Sequence, residues 1–574
     1  MGKNNARKPA NDGFSAPARA SKNVKKQGSK KTVISVICMV LVIALFGGVI
    51  IFNKVADSGY FYRNTVSVSS ENFEVNNAML SYFFNAQYQN MYSSLEQMGV
   101  DLEQNLKDQK YTKDMSWFDF IMQSYTIPQV EQLLVLCEAA KAAGFELDEH
   151  EKEHAEEAVK SIEDTAASYA DSYNTSAKQS GGAANYTADY FIRQMYGYGV
   201  TIDDIRDAIE LNQLAAAYST HISDGFEFSA EEWSNYLEEH KADFQVIDYV
   251  SYTFEAKKAT SASTTTTATT AATEKASGAS NADETTTAAT TTTATTGLTN
   301  PEKDLSPEKY EVYKKAYNLS QHMMADSDKA LEIFNTEVKK HLEEVVYADE
   351  TDADKKAEKV AEAMDGLAVE AAANDESSDF LKYAFSKDRD KATYVAEDNT
   401  NGKYTVYLIT KLPYIEEYLT RDIRVIALSA TDGDKVSEKR DTVIKEFEKG
   451  DKSEKSFEEL AAKYSEDSTA HETGGLYENQ GKNDLSSDEL SKWLFSADRK
   501  VGDYTSVSNG EKDTNEVIYI AYYVGEGLKK WERDVDVTMI SEAYEKEYEK
   551  LEKAHKVTTD LEEAYKIPSQ AGLA

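Results

Sequence analysis

The spacing of apolar positions divides the chain into a helical first part and a mixed second part. Between Asn72 and about Asp243, apolar residues recur every three or four positions, as on one face of an α-helix. The clearest runs are LSYFFNAQYQNMYSSLEQM, PQVEQLLVLCEAAKAAGF and DDIRDAIELNQLAAAYSTHI. Gly144 is a helix stop, after which LDEHEKEHAEEAV restarts a helix, and Ser172 to Tyr186 is predicted to be a polar loop.

The second part contains an internal repeat with a spacing of about 110 residues. Both copies run from a helix end through Phe-Ser and Asp-Arg to a strand with alternating apolar residues. Their sequences are FLKYAFSKDRDKATYVAEDNTNGKYTVYLITKL at 380–412 and LSKWLFSADRKVGDYTSVSNGEKDTNEVIYIAYYV at 490–524. Each copy opens with a further strand, at 245–254 and at 423–430, and helix is predicted at 306–346 and 354–373. The predicted fold class is therefore α+β, with two related units in tandem.

A low-complexity segment interrupts the first copy of the repeat. Eighteen of the forty residues at 260–299 are Thr, and much of the remainder is Ala or Ser. Such a segment has almost nothing to bury, so it is predicted to be a solvated linker or stalk.

Charge is distributed unevenly along the chain, and the N-terminus is basic. The chain carries 63 Lys and Arg against 101 Asp and Glu, a formal charge of −38, yet residues 1–31 carry a net +8. The following run at 33–52, VISVICMVLVIALFGGVIIF, has no charged residue, and at 1.5 Å per residue it spans roughly 30 Å. The pattern predicts a basic cytoplasmic tail at 1–31 and a transmembrane anchor at 32–53.

This topology implies a single-pass protein of the cell membrane, with its N-terminus cytoplasmic and its acidic bulk extracellular, as on a Gram-positive-like surface. A cleaved signal peptide is the alternative interpretation. The long basic region and the poor cleavage site in NKVADSGY argue against it.

The composition excludes several classes of site. Strong acidity argues against a nucleic-acid partner, because phosphate contacts need clustered Lys and Arg. Two cysteines, Cys38 and Cys137, exclude a disulfide scaffold and a thiolate zinc site. His150 to His154 fits the H-E-x-x-H pattern of zinc proteases, but its charged neighbours favour a solvated helix face, so no metal or cofactor is predicted.

The second copy of the repeat resembles a parvulin (PpiC-like) domain. Three segments carry the resemblance over about 105 residues: FEELAAKYSEDSTAHETGGLYENQ (457–480), LSKWLFSADRKVGDYTSV (490–507) and VIYIAYYVGEG (517–527). The first copy lacks the Gly-Gly loop and resembles the same fold in outline. Two segments of the helical part resemble the helical module of the SurA and PrsA extracytoplasmic foldases: QLLVLCEAAKAAGFELDEHE and MYGYGVTIDDIRDAIELNQL.

The resemblance implies a sequence of domains. After the anchor come a SurA/PrsA-like helical chaperone module at 60–243 and a degenerate parvulin-like domain at 244–417 with the Thr-rich insert at 258–300. A parvulin-like domain at 418–530 follows, and then a C-terminal helix at 538–574 that packs on the chaperone module.

The resemblance also implies a function: peptidylprolyl cis/trans isomerisation and chaperone action on unfolded or newly exported polypeptides, without a cofactor. A homodimer is an open alternative to the monomer. Asp467 matches the catalytic Cys or Asp of the family, and its alternative interpretation is an Asp that caps a turn. The residues matching the proline pocket, which are equally interpretable as core, are Leu490, Leu494 and Phe495.

Both histidines of the parvulin network are missing. The last-strand histidine falls on Tyr519, which the resemblance then makes the second catalytic candidate, and the first-strand histidine falls on Arg424 or Val425. Isomerase activity weakened by this loss is one expectation. A non-catalytic holdase or a surface scaffold that retains the parvulin fold is the other.

Overall fold

The computed structural model describes residues 59–182, 185–197, 199–256, 300–429, 435–467, 469–485, 487–510 and 516–569. Within these ranges the fold is mixed α+β with three small antiparallel sheets, as the α+β prediction required. The described residues divide into two compact units: unit 1 comprises those from 59 to 225 and from 544 to 569, and unit 2 comprises those from 226 to 543.

Unit 1 is mainly helical. Its elements are α1 (Tyr60–Arg63), β1 (Val66–Ser69), β2 (Glu74–Asn76), α2 (Asn77–Gln97), α3 (Trp117–Ile121), a π-helical turn (Met122–Thr126), α4 (Ile127–Ala143), α5 (Glu149–Gln179), α6 (Ala188–Tyr196), α7 (Ile202–Asp224), β11 (Thr558–Thr559) and α19 (Leu561–Ala564). The predicted stop at Gly144 is present: it takes φ 68°, a left-handed conformation that glycine adopts without a steric penalty.

The core of unit 1 joins distant parts of the chain. Phe84 and Phe118 are fully buried with ring centroids 4.9 Å apart. Tyr548 and Leu551 pack against the same cluster, and β1 lies between β2 and β11 in one sheet. Residues 544–569 therefore belong to this unit.

Helix α5 differs from the sequence prediction. The predicted polar loop at 172–186 is wrong over its first half, because α5 continues to Gln179. Tyr169 and Tyr173 on this part of α5 contact the ring of Phe191 on α6. That contact stabilises helix where the local sequence is polar.

Unit 2 contains two four-stranded sheets. Its elements are α8 (Ala230–Glu239), β3 (Val246–Glu255), α9 (Pro301–Asp304), α10 (Pro307–Ala325), a 3₁₀ turn (Ser327–Lys329), α11 (Ala330–His341), a π-helical turn (Leu342–Val346), α12 (Ala353–Asp365), β4 (Ala368–Ala373), α13 (Asp379–Phe385), β5 (Thr393–Asp398), β6 (Lys403–Tyr414), β7 (Leu419–Ser429), α14 (Val436–Lys449), α15 (Glu454–Tyr464), α16 (Ala470–Thr473), β8 (Leu476–Gln480), α17 (Asp488–Leu494), β9 (Tyr504–Asn509), β10 (Val517–Lys529) and the first part of α18 (Lys530–Ala554), whose residues from Tyr544 onward belong to unit 1.

The two sheets share their strand order, β4-β3-β6-β5 in the first copy and β8-β7-β10-β9 in the second. They also share a bulge in the first strand pair. Asp248 accepts a hydrogen bond from the amide of Ala371, and Asp422 accepts one from the amide of Asn479. Ala371 and Asn479 both have positive φ, so the internal repeat extends to a detail of the backbone.

Three segments of unit 2 differ from their predictions. Residues 368–373, predicted as the end of a helix, form the edge strand β4 because they pair with β3. Helix α8, assigned from the sequence to the helical module, lies in unit 2, where Trp233 donates to Asp536 of α18 at 2.8 Å. The C-terminal helix begins at Lys530 rather than at 538. The Thr-rich residues 258–299 lie outside the described ranges.

The predicted fold class is also corrected for the membrane. It included one transmembrane helix, but no helix in the described ranges is long and apolar enough to cross a bilayer. The longest described helix, α5, has 31 residues but carries charged side chains along its length. The predicted anchor at 32–53 lies outside the described residues. The membrane partner and the single-pass, cell-surface localisation depended on that anchor, and the described residues do not support them.

Candidate functional site

The second sheet of unit 2 has two differently covered faces. Ile426, Leu428 and Ile518 lie in a cluster with residues of α14 and α15. Ile423 and Val425 lie on the opposite face, since side chains alternate along a strand. This second face is covered in part by α17, and it holds the predicted site residues.

Asp467 lies at the end of the second face, in the segment between α15 and α16. The Tyr477 hydroxyl on β8 donates to its Oδ2, and the amide and hydroxyl of Thr469 both donate to Oδ1 at 3.0 Å. The contacts with Thr469 form the turn cap of the alternative interpretation. The bond from Tyr477 goes further, because it joins the turn to the sheet across ten residues of sequence.

These hydrogen bonds set the charge of the pair. Burial raises the pKa of the Asp467 carboxyl, but the bonds from Tyr477 and Thr469 outweigh it and lower the pKa below its ordinary value of 3.8. Burial, together with the bond to Asp467, raises the pKa of Tyr477 to about 12. At neutral pH the pair is therefore a carboxylate held by a neutral phenol.

The register of β7 and β10 resolves the ambiguous first-strand position. Tyr519 pairs with Ala427, and Ala521 with Val425, so these side chains share the second face. Arg424 points to the other face. Val425 thus occupies the strand position that faces the candidate site, and it is apolar.

Arg424 instead holds the loop that precedes β8. It donates to the carbonyl oxygens of Thr473 and Gly474 at 2.8 and 2.9 Å, and it pairs with Glu454 at 3.0 Å. Gly475 has φ +70°, and a Cβ there would collide with the carbonyl oxygen of Val425. The Gly-Gly pair therefore allows β8 to approach β7, which positions Tyr477 beside Asp467.

The three predicted pocket residues are not equivalent. Leu490 and Leu494 are 3% and 0% exposed, so both are part of the core between α17 and the sheet. Phe495 is half-buried and contacts the Tyr418 ring edge-on, with centroids 5.7 Å apart. Their role as ligand contacts stays a prediction, and Phe495 alone of the three offers appreciable surface to a ligand.

Other half-buried side chains complete this face. They are Leu485, Trp493, Tyr477 and Tyr519, which pack against the same buried cluster. Tyr477 and Leu485 are not among the site residues predicted from the sequence, although an aromatic residue two positions after Gly-Gly is a local signal for a side chain on β8. The arrangement can place a negative charge at the edge of an apolar surface.

The equivalent face of the first copy is filled by aromatic rings. Phe380 on α13 stacks on Tyr407 of β6 with centroids 4.0 Å apart, and Tyr249 meets Phe380 at 4.8 Å. These rings occupy the space between helix and sheet where the second copy has Leu490. The first copy therefore differs from the second at its face, although its topology is the same.

The zinc-protease alternative gains no support from the structure. His150 and His154 lie one turn apart on α5, with ring centroids at 4.5 Å. Among the described residues, no group of three or more His, Cys, Asp or Glu side chains is placed to hold a metal ion.

Comparisons with known proteins leave the family open. No family model matches the chain, and no curated protein is significantly similar to it.

Proposed function

We propose that the chain is a protein-folding factor that binds unfolded polypeptide and accelerates cis/trans isomerisation of Xaa-Pro bonds at the Asp467 site. The observation that carries the proposal is the ionised Asp467 carboxylate, held by Tyr477 at the edge of an apolar face. The parvulin-like segments at 457–480, 490–507 and 517–527 also support it.

The reaction requires no covalent step. Rotation about the prolyl amide is slow because twisting removes its resonance, with a barrier of about 18–20 kcal/mol. A catalyst must bind the twisted amide better than the planar one. An apolar surface beside Phe495 and Tyr519 would take the proline ring.

Asp467 would act through its charge. A planar amide carries more negative charge on its carbonyl oxygen than a twisted amide does, because resonance moves electrons onto that oxygen. A fixed carboxylate beside the oxygen therefore disfavours the planar state. Tyr477 and Thr469 keep the carboxylate ionised and oriented, so the negative charge is already in position when the substrate binds.

Two-dimensional exchange NMR on an Ala-Xaa-Pro-Phe peptide series tests the proposal. The chain should accelerate cis/trans exchange, and Asp467→Ala should reduce the acceleration by about 100-fold, as expected for one preorganised electrostatic group. Asp451→Ala is the matched control, because Asp451 accepts an amide hydrogen bond from Ser453 two residues later, as Asp467 does from Thr469, but lies between α14 and α15, the helices that cover the other face of the sheet. If the chain accelerates cis/trans exchange for none of the Xaa residues, the isomerase proposal is refuted.

A non-catalytic holdase is the second candidate, favoured by the burial of Leu490 and Leu494, which leaves little of the predicted pocket open. A holdase would suppress aggregation of an unfolded client and leave exchange rates unchanged. Measuring both quantities on one preparation separates the two functions.

A further inference from the structure

Three of the four edge strands in the two sheets of unit 2 are protected against pairing with another strand. β4 and β8 each carry a bulge, which twists an edge away from a passing strand. β5 lies under α10, where Ser320 donates to Thr393 at 3.1 Å and Tyr317 donates to Glu397. A helix is about 10–12 Å wide and strands lie about 4.8 Å apart, so the side chains of a strand added to β5 would meet α10.

The fourth edge strand, β9, has none of these protections. Its six residues, YTSVSN at 504–509, all pair with β10 without a shift in register. The strand contains neither a charged residue nor a proline, the residue types that commonly block an edge. Helix α14 contacts β9 at its first residue, where the Tyr504 ring meets Phe447 with centroids 5.1 Å apart. β9 is therefore the open edge among the described strands of unit 2.

The hydrogen-bond register identifies the open backbone groups of β9. The amide of Tyr523 donates to the carbonyl of Asp503 at 2.9 Å, and bonded positions alternate along an antiparallel pair. The residues of β9 whose backbone groups bond to β10 are therefore Thr505, Val507 and Asn509. The residues whose amides and carbonyls point away from the sheet are Tyr504, Ser506 and Ser508. Within the described ranges, β10 is the only strand that pairs with β9.

We propose that the β9 edge binds a segment of unfolded polypeptide as an added strand, and that the segment has an uncharged centre and basic residues at its ends. An extended backbone matches the open groups, because its own amides and carbonyls alternate with the same repeat. Alternate side chains of the added strand would lie beside Thr505 and Val507. Residues such as Val and Thr suit these positions, because β-branched neighbours on adjacent strands stabilise a sheet.

The charges around β9 favour this ligand. The Tyr504 hydroxyl donates to Glu448 at 2.9 Å at one end of the strand, and the Ser508 hydroxyl donates to Glu516 at 2.7 Å at the other. These two carboxylates attract Lys or Arg at the ends of the added segment. A second copy of this chain is disfavoured, because two chains of formal charge −38 repel each other and would bring like carboxylates together.

This binding mode rests on the proposed function, since the ligand is unfolded polypeptide in both, but it uses the sheet edge and not Asp467. The test uses the full chain and the fluorescent peptide Lys-Thr-Val-Thr-Val-Thr-Lys, which contains no proline, with anisotropy as the readout. Ser506→Pro removes an outward amide and places a ring on the edge, so it should weaken binding about tenfold or more. Ser506→Ala is the matched control, because it keeps the amide and should retain most of the affinity. Circular dichroism checks that both variants are folded.

Changes to the peptide test the same edge without altering the protein. N-methylation of two adjacent central residues blocks both edges of the peptide backbone and should reduce affinity about tenfold or more. Replacing both lysines by glutamate should also weaken binding, because the carboxylates at the ends of β9 then repel the peptide. Hydrogen exchange measured by mass spectrometry locates the site. The amides that the bound peptide should protect are those of Tyr504, Ser506 and Ser508.

Unchanged affinity of the methylated peptide would overturn the proposal, and so would peptide binding that leaves exchange at 504–508 unaltered. Sedimentation tests the alternative occupant. A free chain that is dimeric, and that Ser506→Pro converts to a monomer, would show that a second copy fills the edge and would also overturn the proposal.

The edge proposal and the isomerase proposal fail in different experiments. If Asp467→Ala removes isomerisation while Ser506→Pro binds the peptide normally, the edge proposal fails and the proposed function stands. If the peptide binds at β9 but no isomerisation is found, the edge proposal stands for a chain that is not an isomerase. Asp467→Ala should leave the affinity for this proline-free peptide unchanged.

Discussion

The hydrogen bond from Tyr477 to Asp467 links the turn that carries the carboxylate to the sheet, and its removal should loosen that turn. Tyr477→Phe deletes the donor and keeps the ring in the apolar cluster. A hydrogen bond to a charged group contributes about 1.5–3 kcal/mol. Both side chains are partly exposed, so solvent screening reduces this to about 1 kcal/mol.

Hydrogen exchange of the full chain, followed by mass spectrometry, measures the local stability of residues 465–480. About 1 kcal/mol corresponds to roughly fivefold faster exchange through local opening. Tyr477→Phe, Asp467→Ala and the double variant form a cycle that isolates the coupling between the two side chains.

The coupling should be about 1 kcal/mol, within the range for residues in direct contact. Tyr504→Phe is the control, since Tyr504 also donates to a carboxylate, Glu448 at 2.9 Å, but on an exposed surface outside the site. Additive effects of the two substitutions, to within about 0.3 kcal/mol, would refute the view that Tyr477 orients Asp467.

Two further predictions follow from the same loop. Gly475→Ala should destabilise the β7–β8 pair by about 2 kcal/mol or more, because a positive φ costs about 1–2 kcal/mol and the new Cβ meets the Val425 carbonyl. Gly366→Ala is the control, since a Cβ at Gly366 meets open space and should not destabilise the protein. Equal shifts in thermal unfolding for the two variants would contradict the role given to Gly475. Because the folded pKa of Asp467 is lowered, its contribution to stability is present above the ordinary value of 3.8 and is lost as pH falls through the lower folded value. Protection of 465–480 should therefore fall with acidification over that window more in the wild type than in Asp467→Ala, and parallel profiles would show that Asp467 is not the titrating group.

Local sequence determined most of the elements of this protein. The three-and-four spacing of apolar residues predicts α2, α4 and α7, because a helix that buries one face needs that period. Ser306 before Pro307 predicts the start of α10, since a capping hydroxyl and a fixed φ are local properties. The repeat in the sequence likewise predicts two α+β units of the same kind.

Tertiary structure decided what local sequence could not. The segment 368–373 is Ala-rich and reads as helix, yet it pairs with β3 because the sheet offers hydrogen bonds to its backbone. The polar residues 172–179 continue α5 because tyrosines at the end of the helix find Phe191 on a neighbouring one. In both cases a distant contact outweighs a weak local preference.

The candidate site shows the same division most clearly. Asp467 was identifiable from YSEDSTA, but its partner Tyr477 depends on how β8 pairs with β7, and a shift of one residue would turn Tyr477 to the other face. The same register decides that Val425, and not Arg424, shares a face with Tyr519. The residue types can be read from the sequence. Whether their side chains share one face of the sheet depends on strand pairing between segments that are far apart in the chain.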